Sequence, residues 1–109
     1  MVESTSKYTS MCGDYKIIKT IGVGGSAPVK LVEKDSKQFA MKIFVYDPKG
    51  WDDLVKTIKS EFEIVSKLNR TSIVEYIEFN ENAIWTKSTG EKVKCCFLVM
   101  QYLRAAELL

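Results

Sequence analysis

Apolar and polar residues alternate with a period of two through the first third of the chain, and the alternation is broken once, by glycines. Tyr15-Lys16-Ile17-Ile18-Lys19-Thr20-Ile21 is rich in β-branched and aromatic residues. Beyond the glycines, Val29, Leu31 and Glu33 alternate with Lys30, Val32 and Lys34, so both segments read as strands. Turn residues Lys34-Asp35-Ser36-Lys37 then lead into a third strand, Gln38 to Tyr46. In it Phe39, Met41 and Ile43 share one face while Ala40, Lys42 and Phe44 share the other. Asp47-Pro48-Lys49-Gly50 ends that strand, and the period changes to that of a helix: Trp51, Leu54, Val55, Ile58, Phe62, Val65 and Leu68. Asp52 and Asp53 near its start and Lys67 and Arg70 near its end suit the helix dipole, and the pattern predicts about five turns. A fourth strand, Ile73 to Phe79, is followed by Asn80-Glu81-Asn82, a short segment from Ala83 to Lys87 and a turn at Ser88-Thr89-Gly90-Glu91. The run Val93 to Leu103 is apolar without alternation, which predicts a strand buried on both faces. Ala105 to Leu109 reads as the first turn of a further helix. The expected class is α+β, with residues 1–14 a polar, mobile lead-in.

Three positions in this framework carry candidate chemistry. The stretch Gly22-Val23-Gly24-Gly25-Ser26-Ala27-Pro28 joins strand to strand. A dinucleotide fold would open a helix there and a P-loop would close with Gly-Lys-Ser/Thr, and neither is present. What remains is a hairpin whose glycines let backbone N–H groups approach an anion, or a glycine-rich hairpin without a ligand. Lys42 is a cation on an otherwise apolar strand face; either an anion compensates it or it guards a sheet edge. Glu61 lies three residues after Ile58 and four before Val65, at the border of the apolar helix stripe. It can reach a cation on a sheet beneath the helix, or stand solvated as most helix glutamates do.

Composition narrows the remaining choices. With 109 residues, of which 46% are hydrophobic, there is room for one domain with a modest core. A net charge of +2 without a basic run argues against nucleic acid as the main partner. No apolar run approaches a membrane span and residues 1–14 hold no signal core, so the expected location is cytoplasmic or nuclear, with no membrane partner. The chain contains no histidine, which excludes Cys/His zinc sites, Cys–His nucleophile pairs and Ser-His-Asp triads, and no metal ligands are expected. Three cysteines, two of them adjacent, do not form a disulfide framework.

Taken together, Gly22-x-Gly24-x-Ser26-Ala27-x-Val29, the third-strand sequence Phe39-Ala40-Met41-Lys42, the helix glutamate Glu61 and the run Leu98-Val99-Met100-Gln101-Tyr102-Leu103 occur in an order and at spacings that resemble the N-terminal lobe of eukaryotic protein kinases. The resemblance spans residues 15–109 and is closest to the serine/threonine kinases. It implies a twisted, five-stranded antiparallel sheet with one main helix. It further implies an ATP-dependent transferase in which the loop Gly22-Val23-Gly24-Gly25-Ser26-Ala27 covers the ATP phosphates, and Lys42 binds the α- and β-phosphates while pairing with Glu61. By the same resemblance Ile21, Val29, Ala40, Val74, Met100 and Leu103 would sandwich the adenine. The backbone of Gln101 and Leu103 would bond its edge, and Glu107 would meet the ribose.

Three departures from that pattern bear on function. Ala27 stands where the family has its third glycine, Pro28 removes a backbone donor beside the loop, and no aspartate follows Asp53. The His-Arg-Asp and Asp-Phe-Gly motifs, which supply the base and the magnesium ligands, are not in the sequence. The chain alone is therefore expected to hold the nucleotide-cradling half of a protein serine/threonine kinase and to be catalytically inactive, its protein substrate engaging the lobe not contained in it. The alternative is a truncated, pseudokinase-like binding or regulatory module.

Overall fold

In the computed structural model, residues 9–22, 27–68 and 75–102 are described. They form six strands and one helix: β1 (Met11–Cys12), β2 (Tyr15–Gly22), β3 (Val29–Lys34), β4 (Lys37–Val45), α1 (Trp51–Leu68), β5 (Tyr76–Thr86) and β6 (Lys92–Gln101). All pairings are antiparallel, in the closed order β1-β2-β3-β4-β6-β5.

This closure overturns the open five-stranded α+β sheet expected from the kinase resemblance. The fold is a closed six-stranded antiparallel barrel carrying one helix. The difference is made by β1, two residues inside the polar stretch 1–14. Met11 and Cys12 pair with Lys16 and Tyr15 on one side and with Thr86 and Trp85 on the other. Ile17 N donates to Ser10 O at 2.9 Å, Gly13 N to Ile84 O at 3.2 Å, and the Ser10 hydroxyl to Thr86 O at 3.1 Å. Those bonds occupy backbone groups that an open sheet would leave at its edges. The turn from β1 to β2 has only Gly13 and Asp14 between the paired Cys12 and Tyr15. Gly13 holds φ +59°, and a Cβ there would come within 3.1 Å of the Phe97 ring, so both conformation and space call for glycine.

A second difference lies in β5, which runs unbroken through Asn80-Glu81-Asn82, a segment read from sequence as a break. The strand absorbs these residues as a shift of register against β6 between Asn80 and Ala83, and Asn82 N donates to Asn80 Oδ1 at 2.9 Å.

Side-chain alternation divides the apolar residues into two layers. Cys12, Tyr15, Val32, Met41, Ile43, Ala83, Cys95, Phe97 and Val99 fill the barrel. Each large side chain buried there contributes about 1.5–3 kcal/mol. Tyr15 meets Phe39 and Phe97 edge-on, at 5.9 and 5.8 Å between centroids, and its hydroxyl donates to Glu78 Oε1 at 2.7 Å. The second layer lies outside the barrel, where Trp51 and Ile58 of α1 cover Ala27, Phe44 and Cys96, with Leu54, Val55 and Phe79 packed alongside. The two layers explain why Cys95 to Val99 are buried without interruption, since β6 separates the barrel interior from the helix.

Candidate functional site

Cross-strand partners in an antiparallel sheet project on the same face, so the register orders the candidate residues into rows. One row runs Val29, Lys42, Leu98, Phe79 and the next runs Leu31, Ala40, Met100, Tyr76. Both continue the outer face on which Phe44 and Cys96 lie beneath α1. Val29, Ala40, Lys42 and Met100 are thus brought together on one wall. Leu31, Ala40 and Leu98 are buried there, and Val29, Lys42 and Met100 are half-buried. Through β2 the second row also takes in Lys19, which pairs with Leu31 and is exposed, so Lys42 is the one half-buried cation of the two rows. The Lys42 side chain is half-buried, and among the described residues it has no salt-bridge partner.

Glu61 is on the same side of the sheet, because α1 packs against β5 and β6. The Lys42–Glu61 ion pair implied by the resemblance is not formed. Glu61 Oε2 instead accepts a hydrogen bond from the Tyr76 hydroxyl at 3.2 Å. Phe62, next to Glu61 in the helix, stacks on the Tyr76 ring with centroids 6.3 Å apart and lies 6.5 Å from that of Phe79. Partial burial, and then the charge and hydrogen bond of Glu61, push the Tyr76 phenol above its ordinary pKa, so it remains a donor at neutral pH. From sequence, Glu61 is paired with Lys42 and, by the resemblance, Tyr76 is set against a second lobe; neither the Tyr76–Glu61 bond nor the stack on Phe62 is foreseen. The one available signal was that Phe62 belongs to the helix stripe beside Glu61.

The other candidates are placed as follows. Ile21 sits in the register shift between Thr20 and Gly22 at the end of β2. Gly22 pairs with Val29, and a Cβ on it would meet Val29 only at ordinary contact distance, 3.6 Å, so the space does not require glycine. Ala27 is buried in the helix layer with Trp51 and Ile58, which gives its methyl group a packing role that the loop pattern did not suggest. Pro28 O accepts from Ile43 N at 3.3 Å. The Gln101 N–H is occupied by Glu75 O at 2.8 Å, so only its carbonyl could bond a base edge. Val23, Gly24, Gly25, Ser26, Val74, Leu103 and Glu107 lie outside the described residues.

Among the described residues no group of three or more cysteine or acidic side chains is placed to hold a metal ion. No helix among them is long and apolar enough to cross a membrane. No protein-family model matches the sequence, and no curated protein matches it.

Proposed function

We propose that the outer wall formed by Val29, Ala40, Lys42 and Met100 binds ATP, as part of a protein serine/threonine kinase acting in the cytoplasm or nucleus. The observation that carries this reading is Lys42: the one half-buried cation of the two rows, without a salt-bridge partner among the described residues. A ligand with a flat apolar base and an anionic tail complements such a surface, the base over Ala40 and Met100 and a phosphate at Lys42. Ala40 suits the role by size, since a larger side chain beside Lys42 would fill the space a base requires. In sequence, the glycine-rich stretch Gly22 to Ala27 comes just before Pro28 and Val29, and Val29 is the strand partner of Lys42.

Phosphoryl transfer to a protein hydroxyl would also need a base and magnesium ligands. The described residues hold no acidic cluster for that ion, so no catalytic step is assigned to them. A second reading draws on the Tyr76–Glu61 bond. With Glu61 engaged by Tyr76, the wall can take a nucleotide without completing the Lys42–Glu61 pair, which suits a binding or regulatory module.

Amide chemical-shift mapping tests the site. Adding ATP to the isotope-labelled chain should shift Val29, Ala40, Lys42 and Met100 together. Shifts scattered over exposed lysines such as Lys16, Lys59 and Lys92, with this wall silent, would reject the assignment.

A further inference from the structure

We infer that Cys12 and Cys95 are a reversible redox pair whose oxidation to a disulfide draws β1 out of the barrel wall. The two Sγ atoms are 3.6 Å apart, both residues are fully buried, and both are free thiols. Their backbones are not so close. No Cα of β1 comes within 8 Å of a Cα in β6, whereas an unstrained disulfide needs Cα atoms about 4.4–6.8 Å apart. In the sheet β5 separates the two strands, and the thiols meet because both side chains reach into the barrel. Joining them therefore requires the backbone to move by more than about 1 Å.

The movement falls to β1. β6 is a ten-residue strand held along its length by β4 on one side and β5 on the other, whereas β1 has two residues, each paired once to β2 and once to β5. Transient opening of β1 admits an oxidant to a site that is otherwise closed, and an inward shift of the same short strand then brings the sulfurs together. With hydrogen peroxide as oxidant, one thiolate attacks a peroxide oxygen, giving a sulfenic acid and hydroxide. The second thiolate then attacks that sulfur, forming the S–S bond and releasing a second hydroxide. The two hydroxides take up the two thiol protons, so the sum is two thiols and one peroxide giving one disulfide and two waters. A disulfide formed under such strain is readily reduced. Cys96 serves as an internal control. Its side chain is on the opposite face, under α1, and burial first, then the neighbouring Cys95 and Glu81, push its thiol up to about 11.

The test uses the full chain, treated with peroxide, quenched with an alkylating agent and mapped without reduction. The expected product links Cys12 to Cys95 within one chain and leaves Cys96 alkylated, in the wild type and equally in Cys96→Ser. Hydrogen-exchange protection at the Gly13 and Ile17 amides, which bond to Ile84 O and Ser10 O, should fall at least tenfold on oxidation and return with dithiothreitol. Absence of the Cys12–Cys95 link, a link through Cys96 or between chains, or a Cys12–Cys95 link with protection unchanged would each overturn the inference. The wild-type mapping needs no variant to fold.

Discussion

The Tyr76 hydroxyl holds Glu61 Oε2 at 3.2 Å, over a sheet face on which Lys42 has no salt-bridge partner among the described residues. That bond is exposed, so it contributes little to stability, about 0.5–1 kcal/mol. Its effect is on where Glu61 points. Tyr76→Phe keeps the stacking on Phe62 and removes the donor. The melting temperature should drop by no more than a few degrees, and Glu61→Gln in the parent chain should bring the Tyr76 phenol closer to its ordinary pKa in an ultraviolet titration. A Tyr76 titration indifferent to Glu61→Gln would show that the two do not interact in solution.

Gly13→Ala tests barrel closure. The substitution places a methyl group against the Phe97 ring at a backbone angle of +59°, and the expected cost is about 1–3 kcal/mol. Urea denaturation should show a lower midpoint with a similar slope. An unchanged midpoint would mean that the β1–β2 turn does not adopt this conformation.

The turn between β3 and β4 makes the opposite prediction. Asp35 and Ser36 hold φ of 53° and 66°, a two-residue hairpin turn with both central residues left-handed and neither a glycine. Ser36→Gly removes the strain on the second position and should stabilise the fold by about 0.5 kcal/mol, net of the added chain entropy. Thermal denaturation would register this as a small rise in midpoint, and a fall would contradict the turn geometry.

Much of this framework is legible in the alternation of side chains. The two-residue period places Ala40 and Lys42 on the face opposite Met41 and Ile43, as found, and the helical period places Trp51 and Ile58 on the buried side of α1. Closure of the sheet is not legible. β1 is too short to show a period, and Ser10, Met11 and Cys12 have no local feature that marks them as the join between β2 and β5. The turn composition of Asn80-Glu81-Asn82 predicts that the strand ends at Phe79, but a bulge uses the same residue types. The partner of Glu61 was missed for a different reason. Sequence places Glu61 at the edge of the helix stripe, but which side chain it meets depends on how α1 is seated over β5, which no local pattern specifies.

Stability should fall on the alkaline side. Burial, then the bond to Glu78, raises the Tyr15 phenol well above its usual 10.0, and burial raises Cys96 from 9.0 to about 11. The Cys12 thiol is also raised, chiefly by its hydrogen bond to Cys95 and then by burial. Each group is harder to deprotonate folded than unfolded, so its contribution is complete below the unfolded value and is lost as pH rises through the folded one. These groups should leave stability flat up to about pH 9 and lower it progressively above. Denaturant midpoints measured from pH 7 to 11 would check this, and a midpoint rising with pH would contradict the burial of these side chains.

The central claim is that Lys42 marks a phosphate position beside an adenine surface, and the ratio of ATP to adenosine affinity tests it most directly. Both ligands should bind weakly to this chain, on the order of millimolar, with ATP favoured about tenfold through the charge-assisted contact to Lys42. Lys42→Met keeps a long apolar stem and removes the charge. Chemical-shift titrations of the folded variant should show adenosine binding unchanged and the preference for ATP gone. A preference that persists in Lys42→Met, with shifts still localised to Val29, Ala40 and Met100, would contradict the role assigned to this lysine.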